Sequence, residues 1–315
     1  YGSLDYSVNA TSTTFAKHGM AKDQNRMSVS GKFQIGNFDI GLTSFGSGAI
    51  QMDGQNATGV SVVPSADVKL NTQALMARYS FNDKYSIIGG VRQAKLKAST
   101  LNTVAPADYS IDAIDKSGMV YGLAYERPDI ALKFEVLRSE KITIGLTGNV
   151  IFSGSTLPVT GTLVIPEATS INFQTGIAEN TLLMASAHKV NWTGSDIGLN
   201  VSLAPPLNQA SDFSNTTSYS LGLGRRLNEA TSASLTYAWE KGTNPGGAST
   251  SPFAMSNGSQ TLSAGVKHKI GSITISGGIS YTKVGDVDLT HSSGLTANYV
   301  GNTVTAVGIK FGYNF

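Results

Sequence analysis

Residues 303–315 alternate without a break. Thr303, Thr305, Val307, Ile309, Phe311, Tyr313 and Phe315 fall on one side of an extended chain. Val304, Ala306, Gly308, Lys310, Gly312 and Asn314 fall on the other. Successive side chains of a strand point to opposite faces, so one face here is aliphatic and aromatic while the other is small, polar or basic. An open edge of this kind in water is a template for aggregation. In a closed barrel crossing a membrane it is what the wall requires, with the apolar face toward lipid and the mixed face toward a lumen.

The same period recurs along the chain. Ile130, Leu132, Phe134 and Val136 alternate with Lys133 and Glu135, and Tyr219, Leu221 and Leu223 with Ser220, Gly222 and Gly224. Ala233, Leu235, Tyr237 and Trp239 do so with Ser234, Thr236 and Ala238, and Ile273, Ile275, Ile279 and Tyr281 with Thr274, Gly278 and Ser280. Runs of about ten such residues are long enough for a tilted strand to cross the hydrocarbon core. Composition supports alternation over blocks: 14% of residues are charged and 35 are glycine, with mean hydropathy near zero. No stretch approaches the roughly 18 consecutive apolar residues of a membrane helix.

Connections come in two kinds. Tight turn signals stand at Gly36-Asn37, 81–84, 126–129, 178–180, 227–229 and 270–272, and longer polar segments at about 15–25, 46–67, 99–117, 149–168, 193–213, 242–259 and 284–302. Short and long connections on opposite ends are the asymmetry of outer-membrane barrels. Six turns and seven loops predict an all-β fold: one transmembrane antiparallel up-and-down β-barrel of about fourteen strands over 1–315, monomeric and without further domains. A soluble sandwich would need apolar residues facing a core, and would not need Tyr and Trp at strand ends.

Net charge of +2 gives no reason to expect nucleic acid as a partner. The absence of cysteine excludes disulfides, thiolate metal sites and cysteine nucleophiles. No G-x-S-x-G, H-E-x-x-H or P-loop pattern occurs, and His18, His188, His268 and His291 lack ligand spacing to one another. An enzyme is therefore not expected, nor a cofactor or metal centre. Asp108, Asp112 and Asp115, and Asp286 with Asp288, read either as a loop cation site or as solvated acidic loops near lipopolysaccharide.

Three motifs, in order, resemble the FadL/TodX-type outer-membrane transporters of hydrophobic compounds. Leu163-Val164-Ile165-Pro166-Glu167 precedes a strand, a turn at Asn180 and a strand ending at Trp192. Ala124-Tyr125-Glu126 leads into Arg138-Ser139-Glu140, and Leu42-Thr43-Ser44-Phe45-Gly46 is similar to the family's third strand, where a kink opens the wall. The resemblance implies uptake of long-chain fatty acids or aromatic hydrocarbons across the bacterial outer membrane, with lateral exit through that strand near Gly46 and Gly48. It also implies an N-terminal hatch; Tyr1 stands almost on the first strand, so no hatch is expected within 1–315. A basic partner for a carboxylate ligand is expected near the end of the fifth strand, at Lys95 or Lys97. By alternation Arg78, Lys133 and Lys310 also face the lumen, with Glu135 able to pair with Lys133. These charges read as ligand-binding or as groups that hydrate and brace the lumen, and the two glycines as a wall break or the start of a loop. A general diffusion porin for small polar solutes is the alternative function. An outer-membrane protease or lipase is a weaker one, and the loops could also serve as phage receptors.

Overall fold

The computed structural model describes residues 2–6, 9–11, 18–58, 65–102, 107–113, 115–195, 197–201, 213–244, 247–249, 253–290 and 296–315. Among them, fourteen strands pair antiparallel in chain order. The first is Gly2–Tyr6, and the second is Gln24–Arg26 continued by Ser28–Ile35. Next come Phe38–Asp53, Ser65–Ser80, Tyr85–Asn102, Lys116–Arg127, Leu132–Ser139, Glu167–Ala178 and Thr181–Asn191. The last five are Thr216–Arg226, Thr231–Lys241, Gly258–Ile270, Ile273–Val284 and Thr303–Tyr313. The first strand pairs with both the last and the second, Gly2 facing Gly308 on one side and Arg26 on the other. The ladder thus returns to its start through the first strand, as an up-and-down barrel requires. Below Gly2 no ladder joins Ser28–Ile35 to the last strand among the described residues.

All six tight turns expected from sequence connect neighbouring strands, among them Gly36-Asn37, with Gly36 at φ 56°, and Asn180 at φ 58°. The outer face carries the predicted apolar set: Leu42, Leu75, Leu123, Leu221, Leu235, Ile279, Val307 and Ile309 are exposed and unpacked by protein. Aromatic residues bound this band. Phe38, Tyr79 and Phe81 stack in sequence at 4.8 and 5.1 Å near the short turns, where Tyr313 also meets Phe315 at 5.1 Å. Trp239 lies 5.5 Å from Tyr219 and 5.8 Å from Tyr237 toward the long connections. Flat amphipathic rings at both borders suit a membrane interface.

The long connections hold more structure than a reading of them as polar loops allows. Ile142–Phe152 and Ser155–Ile165 form a hairpin closed by Ser153 at φ 49° and Gly154 at φ 78°. Ala107–Ala113 joins one side of it and Ile197–Val201 the other, giving a four-stranded cap. Gly148 and Gly161 are needed there, since a Cβ at either would strike the neighbouring backbone at Ser110 or Gly198. A smaller sheet combines Asn9–Thr11, His18–Gly19, Ala248–Ser249, Val287–Thr290 and Thr296–Tyr299. The buried apolar cluster of the molecule gathers side chains from both sheets, including Ile144, Val150, Val159, Leu199, Leu289 and Tyr299, with Met20 and Met52. The expected loops at 99–117, 149–168, 193–213 and 284–302 are corrected accordingly. Their alternation serves a small protein core instead of lipid, and the intervening Ser, Thr and Gly disguise it as loop composition.

Candidate functional site

Below the cap, the lumen wall carries a paired charge network on one side and small or hydroxyl residues at mid-height on the other. Strands two to eight turn charges inward. Glu126 sits at the centre, accepting from Arg78 at 2.8 Å and from Lys133 at 3.6 Å. Lys133 also reaches Glu135 at 3.4 Å, and Asn172 donates to Glu135 at 3.2 Å. Nearby, Lys32 pairs with Asp39 at 3.0 Å. Strands ten to fourteen present Ser220, Gly222, Ser234, Thr236, Ser263, Gly265, Gly278 and Ser280 at mid-height, with Arg226, Lys267 and Lys310 on the same face nearer the tight turns. Replacing Glu126 by Gln removes the carboxylate that holds two cations. We expect this to cost about 1–3 kcal/mol in a urea unfolding titration of the reconstituted barrel. Replacing the more exposed Lys32 by Met should cost less than about 1 kcal/mol.

The sequence-derived site residues are therefore separated by the structure. Arg78, Lys133 and Glu135 belong to one braced network. Lys95 pairs with Asp115 at 3.1 Å and lies on the strand face opposite the buried Ala94. Lys97 is the extra residue of a bulge, because Leu70 faces Leu96 while Lys69 faces Ala98; its side chain lies outside the described residues. The fifth-strand cation that sequence reading passed over is Arg92. It shares the inward phase of Ser86 and Ala94 and donates to the carbonyls of Glu140 at 2.7 Å and Pro166 at 3.4 Å. The phase was readable, since Tyr85, Ile87 and Val91 mark the outward positions. Arg92 tethers the fifth strand to both ends of the cap hairpin. His18's side chain and His291 lie outside the described residues. Asp286 accepts from the backbone N–H of Gly301 at 2.9 Å.

Gly46 and Gly48 mark a real irregularity. Gly46 faces Asn71 and Gly48 faces Leu70, so Ser47 is bulged out of the third strand's ladder with the fourth. Its hydroxyl donates to the Leu70 carbonyl at 3.4 Å. Neither glycine is forced, since neither has a positive φ and a Cβ at each would meet only ordinary contacts of 3.6 Å or more. On the opposite edge of the third strand the change is larger. Pairing with the second strand runs from Ile35–Phe38 to Ser28–Phe45 and then stops. It resumes in the same register at Ala21–Met52, where Lys22 N–H donates to the Gln51 carbonyl at 3.3 Å and Asp53 N–H to the Met20 carbonyl at 2.8 Å. Between these levels the second strand leaves the third and pairs with the first, through Arg26, Asn25 and Gln24.

The wall is thus interrupted between the second and third strands over the stretch that begins at Met27 and Gly46. A cavity of about 470 Å³ lies at its lower edge, lined by Arg26, Met27, Ser28, Phe45 and Gly46 and, across the seam, by Ile309 and Lys310. Phe45 faces the lumen beside Ser28, while Met27 and Val29, 72% and 69% exposed, face outward. The cavity falls in the usual size range for small-molecule sites and joins an apolar ring to two basic side chains.

Above the gap, the Asp53 carboxyl is held below its usual range, first by the hydrogen bond from Asn56 and then by Lys22 at 3.3 Å. Higher still, Tyr109 lies opposite Val150 in the ladder and belongs to the buried cluster of the cap. It is 2% exposed, and its hydroxyl has no hydrogen-bond partner among the described residues. Burial pushes this phenol up to about 12, so it remains a protonated donor at any physiological pH.

No protein-family model and no curated protein sequence matches the chain. Solved structures do. A FadL homologue of Pseudomonas aeruginosa superposes with a TM-score of 0.78 at 13% identity, covering 100% of this chain and 89% of that one. The toluene transporter TodX of Pseudomonas putida gives 0.69 at 12% identity over 100% and 88% of the two chains. The toluene transporter TbuX of Ralstonia pickettii gives 0.65 at 12% over 100% and 89%. The chain has the fold of these FadL- and TodX-type barrels.

Proposed function

We propose that this protein is a bacterial outer-membrane channel for the uptake of hydrophobic small molecules, long-chain fatty acids or aromatic hydrocarbons. The long connections are then extracellular and the tight turns periplasmic. Molecules enter through the apolar cap, pass to the cavity beside Phe45, and diffuse out sideways where the second and third strands part. The interrupted ladder beside Gly46 carries this reading. An apolar solute gains about 0.8 kcal/mol for each CH₂ it removes from water. A route lined by Phe45 and Met27 into the outer apolar band keeps that gain. A straight descent would expose the solute to Arg78, Glu126 and Lys133. The likeness in fold to toluene transporters and a FadL homologue supports the same class of solute.

The test is uptake by cells expressing the protein, with toluene and oleate as apolar probes, beside swelling of proteoliposomes in arabinose. We expect accelerated uptake of at least one apolar probe and no sugar-driven swelling above protein-free vesicles. Swelling in arabinose without apolar uptake would mark a general diffusion porin.

A further inference from the structure

Three outward lysines lie apart from the uptake route. The ninth, eleventh and thirteenth strands run from the tight turns toward the long connections. Each carries an exposed lysine near its far end: Lys189, Lys241 and Lys283. All three have the lipid-facing phase. Lys241 follows Trp239 by two positions and Lys283 follows Tyr281, while Lys189 follows Ala187, the ladder neighbour of Tyr219. Two residues of strand are roughly 7 Å, which carries each lysine past the aromatic border of the apolar band. Alternate strands are roughly 10 Å apart, so the three make a belt along one side of the barrel.

Outward cations on the fifth and seventh strands are neutralised. Lys95 pairs with Asp115 at 3.1 Å and Arg138 with Glu167 at 2.7 Å. Glu167 also accepts from Asn191 at 3.1 Å. Lys189, Lys241 and Lys283 have no ion pair among the described residues. Glu240, beside Lys241 in sequence, has the opposite phase and faces the lumen with Ser218. The ladder neighbours of the lysines add hydrogen-bond donors: Thr217 opposite Lys189, and Gln260 and Thr303 on either side of Lys283. Cations and donors without an acid, at the edge of an apolar band, fit anionic headgroups.

We propose that Lys189, Lys241 and Lys283 form a docking belt for the phosphate groups of lipid A in the outer leaflet. The proposal rests on the membrane placement given above, with the long connections extracellular, and not on the uptake route. Acyl chains must cover Trp239 and Tyr281 while an anion meets the lysines beside them, and a phosphorylated glycolipid supplies both. A headgroup with two phosphates engages two alternate strands at once, which a headgroup with one phosphate cannot do.

The test uses the full chain in detergent micelles doped with diphosphoryl lipid A, monophosphoryl lipid A or phosphatidylglycerol at equal mole fraction. Bound lipid is counted by native mass spectrometry. We expect wild type to hold diphosphoryl lipid A more tightly than the other two. Lys189→Gln, Lys241→Gln and Lys283→Gln should each weaken that binding about fivefold, as for one lysine at an anionic surface. The triple variant should lose at least about tenfold. A control carrying Arg226→Gln, Lys267→Gln and Lys269→Gln removes the same charge from the lumen face near the tight turns and should bind as wild type does. Unchanged binding by the triple variant, an equal loss in the control, or equal affinity for phosphatidylglycerol would overturn the proposal. Binding in micelles needs no transport. Failed uptake with this binding intact would count against the channel alone, and lost lipid binding with uptake intact against the belt alone.

Discussion

Replacing Leu235 by Arg lowers the folding stability of the barrel by about 2–4 kcal/mol in a denaturant titration in lipid. Leu235 lies five residues into the eleven-residue strand Thr231–Lys241. Its neighbours in the ladder are Leu223 and Ala264, both on the outward face. It is 55% exposed with protein alone, so in a bilayer its surroundings are acyl chains. A guanidinium there has no partner and must draw in water or distort the bilayer. The cost depends on depth. Ile275 faces Phe311 and His268 close to the tight turns, so Ile275→Arg should cost about 1 kcal/mol or less. Thr236, one residue from Leu235 and pointing into the lumen beside Gly222, should tolerate Ala with little effect. Equal losses at Leu235 and Thr236 would mean that the two faces are wrongly assigned.

The outward faces and the turns were legible because lipid and turn geometry each impose a local rule. Period two is visible wherever Leu, Ile, Val, Phe or Tyr recurs, and Gly36 or Asn180 announces its own φ. Two features were not legible. The cap sheet uses the same alternation at Ile142, Ile144 and Leu146 but faces a protein core; composition cannot tell the two destinations apart. The fifth-strand cation failed for a different reason. The resemblance puts it at Lys95 or Lys97, whereas the strand's own alternation, which a bulge at Lys97 reverses only beyond that residue, puts Arg92 inward. Lys95, read as a lumen cation, proved to be on the other face and paired with Asp115, whereas Arg92 had the inward phase throughout. Pairing partners are non-local as well: Arg78 and Glu126 are 48 positions apart in the chain, and nothing local signals that they neutralise each other.

Closing the wall beside Gly46 should stop uptake while leaving the barrel folded. Valine fits there, because a Cβ would meet Arg26 at 3.8 Å and Asn71 at 3.9 Å without overlap. A β-branched residue favours extended, paired backbone and narrows the gap toward Met27. Gly46→Val should therefore slow toluene or oleate uptake with surface expression unchanged. A sharper version uses the absence of cysteine from the chain. A single Gly46→Cys protein can be labelled at that point alone with a bulky maleimide, and uptake compared before and after labelling in the same cells. The account predicts that uptake matches wild type before labelling and drops to the level of cells lacking the protein afterwards. Full uptake by fully labelled protein would contradict it.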